Sequence, residues 1–191
     1  MRYEIIENFL SKQECDQLIA SAKDKLVAST TLDPVSGAYE TNSFRQSDQM
    51  YFRLGETPLV ADIEKRISDK VGVPVENGEG LQVVKYSPGG YFRAHRDAFD
   101  PNFPGNQAAL KYGGQRKITF LMYLNDVEGG GDTYFNKFDM SVKPIRGRAI
   151  VWWNIHDDGT RDEDTLHEGR PVPEGQVKFI ATKWLRERRF T

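Results

Sequence analysis

The pattern of apolar and polar positions changes its period once along this chain, close to Leu81. Before that point it is helical. Cys15, Leu18, Ile19, Ala22 and Leu26 recur at three- and four-residue spacing, the stripe of an amphipathic helix, and Ser11 with Glu14 forms a capping box ahead of them. The expected helix spans 12–26. A second stripe, Leu59, Val60, Ile63, Ile67 and Val71, follows Thr57 and Pro58, a suitable first turn, and ends at Gly72. A short strand is expected at 3–6. Segment 29–48, with Asp33, Pro34, Gly37 and Asn42, reads as a long polar loop.

Beyond Leu81 the alternation has period two, and the runs 81–86, 116–125, 132–135, 141–145, 148–154 and 176–185 read as strands separated by turns. A further strand ends at His95. Such a series predicts an antiparallel sandwich or jelly roll, with the two helices covering one face. Segment 98–114, which holds Pro101 and Pro104 and closes on Gly113 and Gly114, reads as a mobile loop and a candidate lid. The organisation expected is one domain over 1–191, with 1–79 as helical support and loop and 80–187 as the jelly-roll core.

Composition narrows the class. A chain of 191 residues can bury a real core in one domain, and a net charge of -2 argues against a basic nucleic-acid surface. The single cysteine cannot form an internal disulfide, the N-terminus lacks the apolar run of a signal peptide, and no stretch approaches about 18 apolar residues. The expectation is a cytoplasmic protein with no membrane and no nucleic-acid partner. Cys15 lies on the helical stripe and reads as packing, as do Met50, Met122 and Met140. The acidic run 157–164 lacks the glycine and terminal glutamate of a Ca²⁺ loop. Gly129 to Gly131 open no helix, so they form a turn and not a phosphate cradle.

The chemistry gathers at YSPGGYFRAHRD, 86–97. His95 and Asp97 stand two apart, so on a strand they leave by the same face. An imidazole and a carboxylate so placed supply two ligands of the 2-His-1-carboxylate facial triad that holds non-haem Fe(II) with open positions. The third ligand must come from His156 or His167, since the chain has three histidines. His167 precedes Lys178 by eleven residues, and Lys178, Ile180, Thr182 and Trp184 share one strand face. A lysine on an inward, otherwise apolar face is costly unless it meets an anion. Beside a metal triad it implies an acidic cosubstrate.

Together these features resemble the prolyl 4-hydroxylase branch of the Fe(II)/2-oxoglutarate-dependent dioxygenases. The resemblance runs from Arg45 to Trp184 and rests on Tyr86 nine before His95, the HxD pair, RKITFLMYLND, GGGDTYF, the VWWN strand, and LHEGRPVPEG ahead of Lys178 and Trp184. It implies a double-stranded β-helix, or jelly-roll, core. It implies that His95, Asp97 and His167 bind Fe(II), that Lys178 pairs with the distal carboxylate of 2-oxoglutarate, and that Tyr86, Tyr123 and Thr182 line that cosubstrate. Dioxygen would take the remaining position, with succinate and CO2 released, an unactivated C–H hydroxylated, and ascorbate as the reductant. Arg45, Trp153 and His156 would lie toward the substrate. Two departures stand out: the basic residue follows His167 by eleven positions where ten is common, and Phe92 stands where tyrosine is frequent.

Four activities compete on this reading. The first is hydroxylation of prolyl residues in a peptide or protein, and the second is hydroxylation of a free amino acid or small biosynthetic intermediate. A third is a non-catalytic jelly-roll binding module, against which an intact triad with Lys178 weighs. The fourth, a nucleic-acid demethylase of the same superfamily, is disfavoured by Lys178 and by the acidic balance.

Overall fold

Alternation along the strands sorts side chains onto two faces, and those faces build the fold. The computed structural model describes residues 1–190. In chain order its first strands and helices are β1 (Tyr3–Ile6), α1 (Lys12–Ala22), β2 (Val27–Ala28), β3 (Thr31–Leu32), β4 (Tyr39–Glu40), β5 (Arg45–Gln46), β6 (Asp48–Phe52) and α2 (Pro58–Val71). There follow β7 (Leu81–Tyr86), β8 (Tyr91–His95), α3 (Pro104–Lys111), β9 (Arg116–Tyr123), β10 (Thr133–Phe135), β11 (Met140–Val142), β12 (Ala149–Trp153), β13 (His167–Gly169) and β14 (Lys178–Arg186). Seven strands form a sheet in the order β1-β12-β9-β14-β7-β6-β2, and five form a second, β11-β10-β13-β8-β5. All the pairings are antiparallel. This is the jelly roll that the alternation predicts.

Ile118, Phe120 and Met122 of β9, with Val83, Val151 and Ala181, look outward to Cys15, Leu18, Val60, Ile63 and Ile67 of the helices. Leu121 and Tyr123, with Val84, Ile150, Trp152 and Ile180, look inward to Phe135 and Val142 of the smaller sheet. The helices are therefore a cover on one face of the larger sheet. The capping box forms in full, with Ser11 Oγ accepting from the Glu14 N–H at 3.2 Å and Glu14 Oε2 accepting from the Ser11 N–H at 2.7 Å. At the end of α2, Gly72 takes the left-handed conformation, φ 68°, that glycine adopts without a Cβ penalty.

Three expectations are corrected. Helix α1 stops at Ala22 and not at 26, because Val27 and Ala28 are drawn into pairing with Gln49 and Asp48 of β6; Leu26 packs on the core from the connection. Segment 29–48 is no featureless loop: it carries the β3–β4 hairpin and β5, whose two-residue strands are too short to show a period. The segment before residue 80 thus supplies β1, β2 and β6 to the main sheet as well as helical cover. Segment 98–114 contains α3, begun by Pro104 at its first turn without a side-chain cap and carried by Gln107, Ala108, Ala109, Leu110 and Lys111, all helix formers. The hairpin turn rests on this helix. The Gly105 N–H donates to the Pro34 carbonyl at 2.8 Å, and a Cβ at Gly105 would collide with the Gly37 amide nitrogen. Among the described residues, no helix is long and apolar enough to cross a membrane.

Candidate active site

Strands β8 and β13 pair so that His167 sits directly opposite His95. Strand β8 stops at His95, and the chain then brings Asp97 beside both rings. His95 Nε2 lies 3.7 Å from Asp97 Oδ1, and His167 Nε2 lies 3.9 Å from Asp97 Oδ2. These gaps are too long for hydrogen bonds. They are shorter than two metal–ligand bonds of about 2.1 Å laid end to end. Ligand atoms of all three residues lie within 4.8 Å of one another, so one ion can meet them together.

Each imidazole is aimed by its other nitrogen. His95 Nδ1 donates to the Arg93 carbonyl at 2.7 Å and His167 Nδ1 to the Thr165 carbonyl at 2.9 Å. A carbonyl only accepts, so Nδ1 carries the hydrogen and Nε2 is turned toward the triad. Burial pushes the His95 ring far below the ordinary imidazole value, to about 3, and His167 beside it acts in the same direction. Burial alone would raise Asp97, but His167, His95 and Arg116 hold its carboxyl below the ordinary range. The Thr119 hydroxyl donates to Asp97 Oδ2 at 2.6 Å, and Asn154 Nδ2 donates to Thr119 Oγ1 at 2.8 Å. An ionised carboxylate and two aimed imidazoles fit Fe(II) in a facial triad.

Phe92 stacks on His95 with ring centroids 3.6 Å apart and planes at 21°, and the Arg45 guanidinium lies 4.7 Å from the centre of the Phe92 ring. Trp152 meets the edge of His167 at 4.8 Å. The rings are held between planar neighbours.

From the triad a narrow inner cavity of about 40 Å³ runs between the sheets, with Tyr86, Ile180, Thr182 and Lys178 in its wall. Lys178 is 2% exposed, and no carboxylate lies within 4 Å of its nitrogen among the described residues. Its Nζ stands 5.0 Å from the Tyr86 ring and 5.9 Å from the Tyr123 ring. Burial lowers its pKa to about 8, against the pull of Asp132. An ammonium without a counter-ion, walled by aromatic rings, is a receptor for one carboxylate of a small diacid. Tyr123 itself does not line the cavity. Its hydroxyl donates to the Val142 carbonyl at 3.1 Å and lies 2.8 Å from Thr133 Oγ1. Gly175, in the turn before Lys178, has φ 76°, and the Gln176 N–H closes that turn on the Pro173 carbonyl.

On the other side of the triad an outer cleft of about 730 Å³ opens between the β3–β4 hairpin and segment 98–106. Tyr39, Phe44, Tyr51, Phe99, Phe103 and Trp184 line it, and Arg45, Phe92, His95, Asp97 and Trp184 belong to both cavities. Arg116 also lines it, clamped to Glu79 by Nε at 2.7 Å and NH2 at 2.8 Å and lying 3.9 Å over the Trp184 ring.

Two residues expected near substrate lie elsewhere. Trp153 follows the alternation of β12 to the helix-covered face, where Arg2 stacks on it at 3.8 Å, and Trp152 is the residue that enters the site. His156 lies half-exposed in a turn closed by its own N–H on the Thr160 carbonyl and lines neither cavity. Sequence reasoning missed Thr119, Asn154, Gln82 and the Arg116–Glu79 pair. Their signal is register across strands, which no local motif carries.

The sequence model of the 2OG-Fe(II) oxygenase superfamily matches residues 81–186. The chain is 38% identical over 200 residues to probable prolyl 4-hydroxylase 3 of Arabidopsis thaliana, spanning 95% of this chain and 68% of that one. It is 38% identical over 208 residues to prolyl 4-hydroxylase 5 of the same plant, spanning 99% and 69%. Among solved structures, the 2OG complex of the viral collagen prolyl hydroxylase from Paramecium Bursaria Chlorella virus-1 matches with a TM-score of 0.76 and 33% identity, over 97% of this chain and 96% of that one. With its triad, its buried lysine and these relatives, the chain belongs to the prolyl 4-hydroxylases of the 2OG-Fe(II) oxygenase superfamily and is a 2-oxoglutarate-dependent dioxygenase.

Proposed function

We propose that this enzyme hydroxylates prolyl residues within a peptide or protein chain at C4, using Fe(II), 2-oxoglutarate and dioxygen. The observation that carries the peptide reading is the outer cleft, which is far larger than the inner cavity and lined by aromatic side chains next to the triad. Proline-rich segments hold an extended polyproline II form, and aromatic-lined grooves receive them with little loss of entropy. A free amino acid would bring two charges close to its reacting carbon and would need a small pocket with paired counter-charges. The names of the Arabidopsis and viral relatives support the prolyl reading.

In this reading His95, Asp97 and His167 hold the metal, and Lys178 holds the distal carboxylate of 2-oxoglutarate at the far end of the inner cavity. Bound there, the metal supplies oxidative decarboxylation of 2-oxoglutarate to succinate and CO2 and delivery of one oxygen atom to the substrate. The protein supplies the geometry. The Arg93 and Thr165 carbonyls fix the imidazole planes, Thr119 fixes Asp97, and the packed interior of the two sheets keeps water from the reacting carbon. Phe92 and Arg45 stand where cosubstrate and substrate meet.

The test is succinate formation under air with Fe(II), 2-oxoglutarate and ascorbate, the reductant that the family resemblance implies. Proline-rich peptides, free proline and no substrate are compared, with His167→Ala as control. Peptide-stimulated turnover with a mass gain of one oxygen on proline, absent in the variant, is the expected result. Stimulation by free proline alone would replace the peptide reading with the small-molecule one.

A further inference from the structure

Between the His167–His95 pair and the Gly169–Phe92 pair, β13 advances two residues while β8 advances three. The extra residue is a β-bulge, which re-aims the side chains beyond it. On a regular strand residues three apart leave by opposite faces, so Phe92 would point away from His95. The bulge turns it back. Its ring lies against the His95 imidazole, with centroids 3.6 Å apart and planes at 21°. His95 Nε2, the nitrogen aimed at the triad, stands roughly 1.1 Å from its own ring centre, so the centre of the Phe92 ring lies within about 5 Å of it.

Two aromatic rings other than the ligands, Phe92 and Trp184, line both the inner cavity and the outer cleft. Tyr86 and Trp152 line the inner cavity alone, where the cosubstrate lies, and Phe44 and Phe99 line the outer cleft alone. Trp184 is engaged by Arg116, whose guanidinium lies 3.9 Å over its ring, and a cation held on the face of a ring draws on its electrons. The cation beside Phe92, Arg45, stands further off, at 4.7 Å. Phe92 is thus the ring that faces the junction of the two cavities and also packs on a ligand of the metal.

We propose that Phe92 is a site of self-hydroxylation: when dioxygen and 2-oxoglutarate react with no second substrate in the cleft, the oxygen atom goes to a carbon of the Phe92 ring. The inference rests on the dioxygenase chemistry of the family and not on the prolyl reading. The step balances without another reactant. The C1–C2 bond of 2-oxoglutarate breaks and releases CO2, one atom of dioxygen enters succinate, and the other forms a C–O bond in place of a ring C–H bond. The displaced hydrogen ends on that oxygen as a phenol. Dioxygen takes up four electrons, two from the cosubstrate and two from the ring. An enzyme that runs without substrate marks itself where its two cavities join.

Two readouts test this. The first needs no turnover. The enzyme is labelled with 4-fluorophenylalanine and loaded with Mn(II) and 2-oxoglutarate under nitrogen, and the fluorine resonance that Phe92→Leu lacks is followed. Strong broadening of that resonance by the paramagnetic ion is expected, and a resonance that stays sharp overturns the assignment. The second is covalent. Unlabelled enzyme is run under air with Fe(II), 2-oxoglutarate and ascorbate and no peptide, and its tryptic fragment 86–93, YSPGGYFR, is sequenced by mass. The expected result is a gain of one oxygen on Phe92, drawn from isotopically heavy dioxygen when that gas is supplied, and absent under nitrogen and in His167→Ala. A chain of unchanged mass after succinate has formed in several-fold excess over enzyme overturns the proposal, as does the absence of succinate without peptide. A gain on Tyr86, Tyr91 or Trp184 in place of Phe92, or one that persists on the fragment in Phe92→Leu, also overturns it. No arm contains a prolyl peptide, so the outcome is independent of the prolyl reading.

Discussion

Strand β14 carries two buried lysines on opposite faces. Lys183 looks toward the helices, is 1% exposed, and holds Glu64 of α2, also 1% exposed, with its Nζ 2.5 Å from Oε1. Lys178 looks into the inner cavity, is 2% exposed, and has no carboxylate within 4 Å among the described residues. Burial lowers the pKa of both. The strand, the solvent exclusion and the residue type are the same, and only the counter-charge differs. Where the fold supplies the anion, the lysine is part of the architecture. Where it supplies none, the position is held ready for a small anion that binds.

Breaking the architectural pair should give the largest effect. Glu64→Ala leaves an uncompensated buried ammonium, and the expected loss is about 3–5 kcal/mol of unfolding free energy in chemical denaturation. The KM for 2-oxoglutarate in the folded fraction should stay within about two-fold, because Lys183 and the cavity lie on different faces. Replacing the pair together, Glu64→Leu with Lys183→Met, should recover most of the stability, since a buried ion pair is often matched by apolar residues of similar volume. A large rise in the 2-oxoglutarate KM on Glu64→Ala would contradict the separation of the two faces.

Lys178→Met reverses the pattern. With no partner to abandon, the variant should be as stable as wild type or more so, because an unpaired buried charge has been removed. Its 2-oxoglutarate requirement should rise by roughly ten- to 150-fold, the equivalent of about 1.5–3 kcal/mol for a hydrogen bond to a charged group. Steady-state kinetics and denaturation on one preparation check both halves. Unchanged cosubstrate dependence would remove Lys178 from the site.

The contrast between the two lysines also marks what could be read in the sequence. The period-two pattern of 176–185 puts Lys178 with Ile180, Thr182 and Trp184, and the HxD pair announces a metal, because both signals are local. Which face of a strand meets which neighbour is not local. Trp152 and Trp153 are adjacent, and only the pairing of β12 with β9 decides that Trp152 enters the site. Thr119 reaches Asp97 from 22 positions away, and Gln82 finds Gln49 33 positions back. Helix α3 lacked a capping side chain, so Pro104 and Gly105 read as loop, and the strands of 29–48 were too short to show alternation. Local pattern thus gave the core elements and the ligand types, while cross-strand register held the second half of the site.

The smallest effect is the most specific to the comparison. Lys178 has a folded pKa of about 8 against an ordinary 10.5. Below about pH 8 both folded and unfolded chains carry the proton there, and the full cost of the buried charge falls on the fold. Between about pH 8 and 10.5 the unfolded chain binds more protons, so this lysine makes stability rise with pH. Cosubstrate binding has the opposite sign, because an arriving carboxylate meets the charged form and is weakened as that proton leaves. The KM for 2-oxoglutarate should therefore rise about four-fold between pH 7 and 8.5, the ratio expected for a single group titrating near 8. In Lys178→Met the KM should be high and flat over the same interval. Lys183, whose lowered pKa also favours the fold at higher pH, should lift stability in both proteins without touching the KM. If the wild-type KM stayed flat while its stability rose, the ammonium that titrates would be the one facing the helices, and the anion receptor of the inner cavity would have to be sought in another residue.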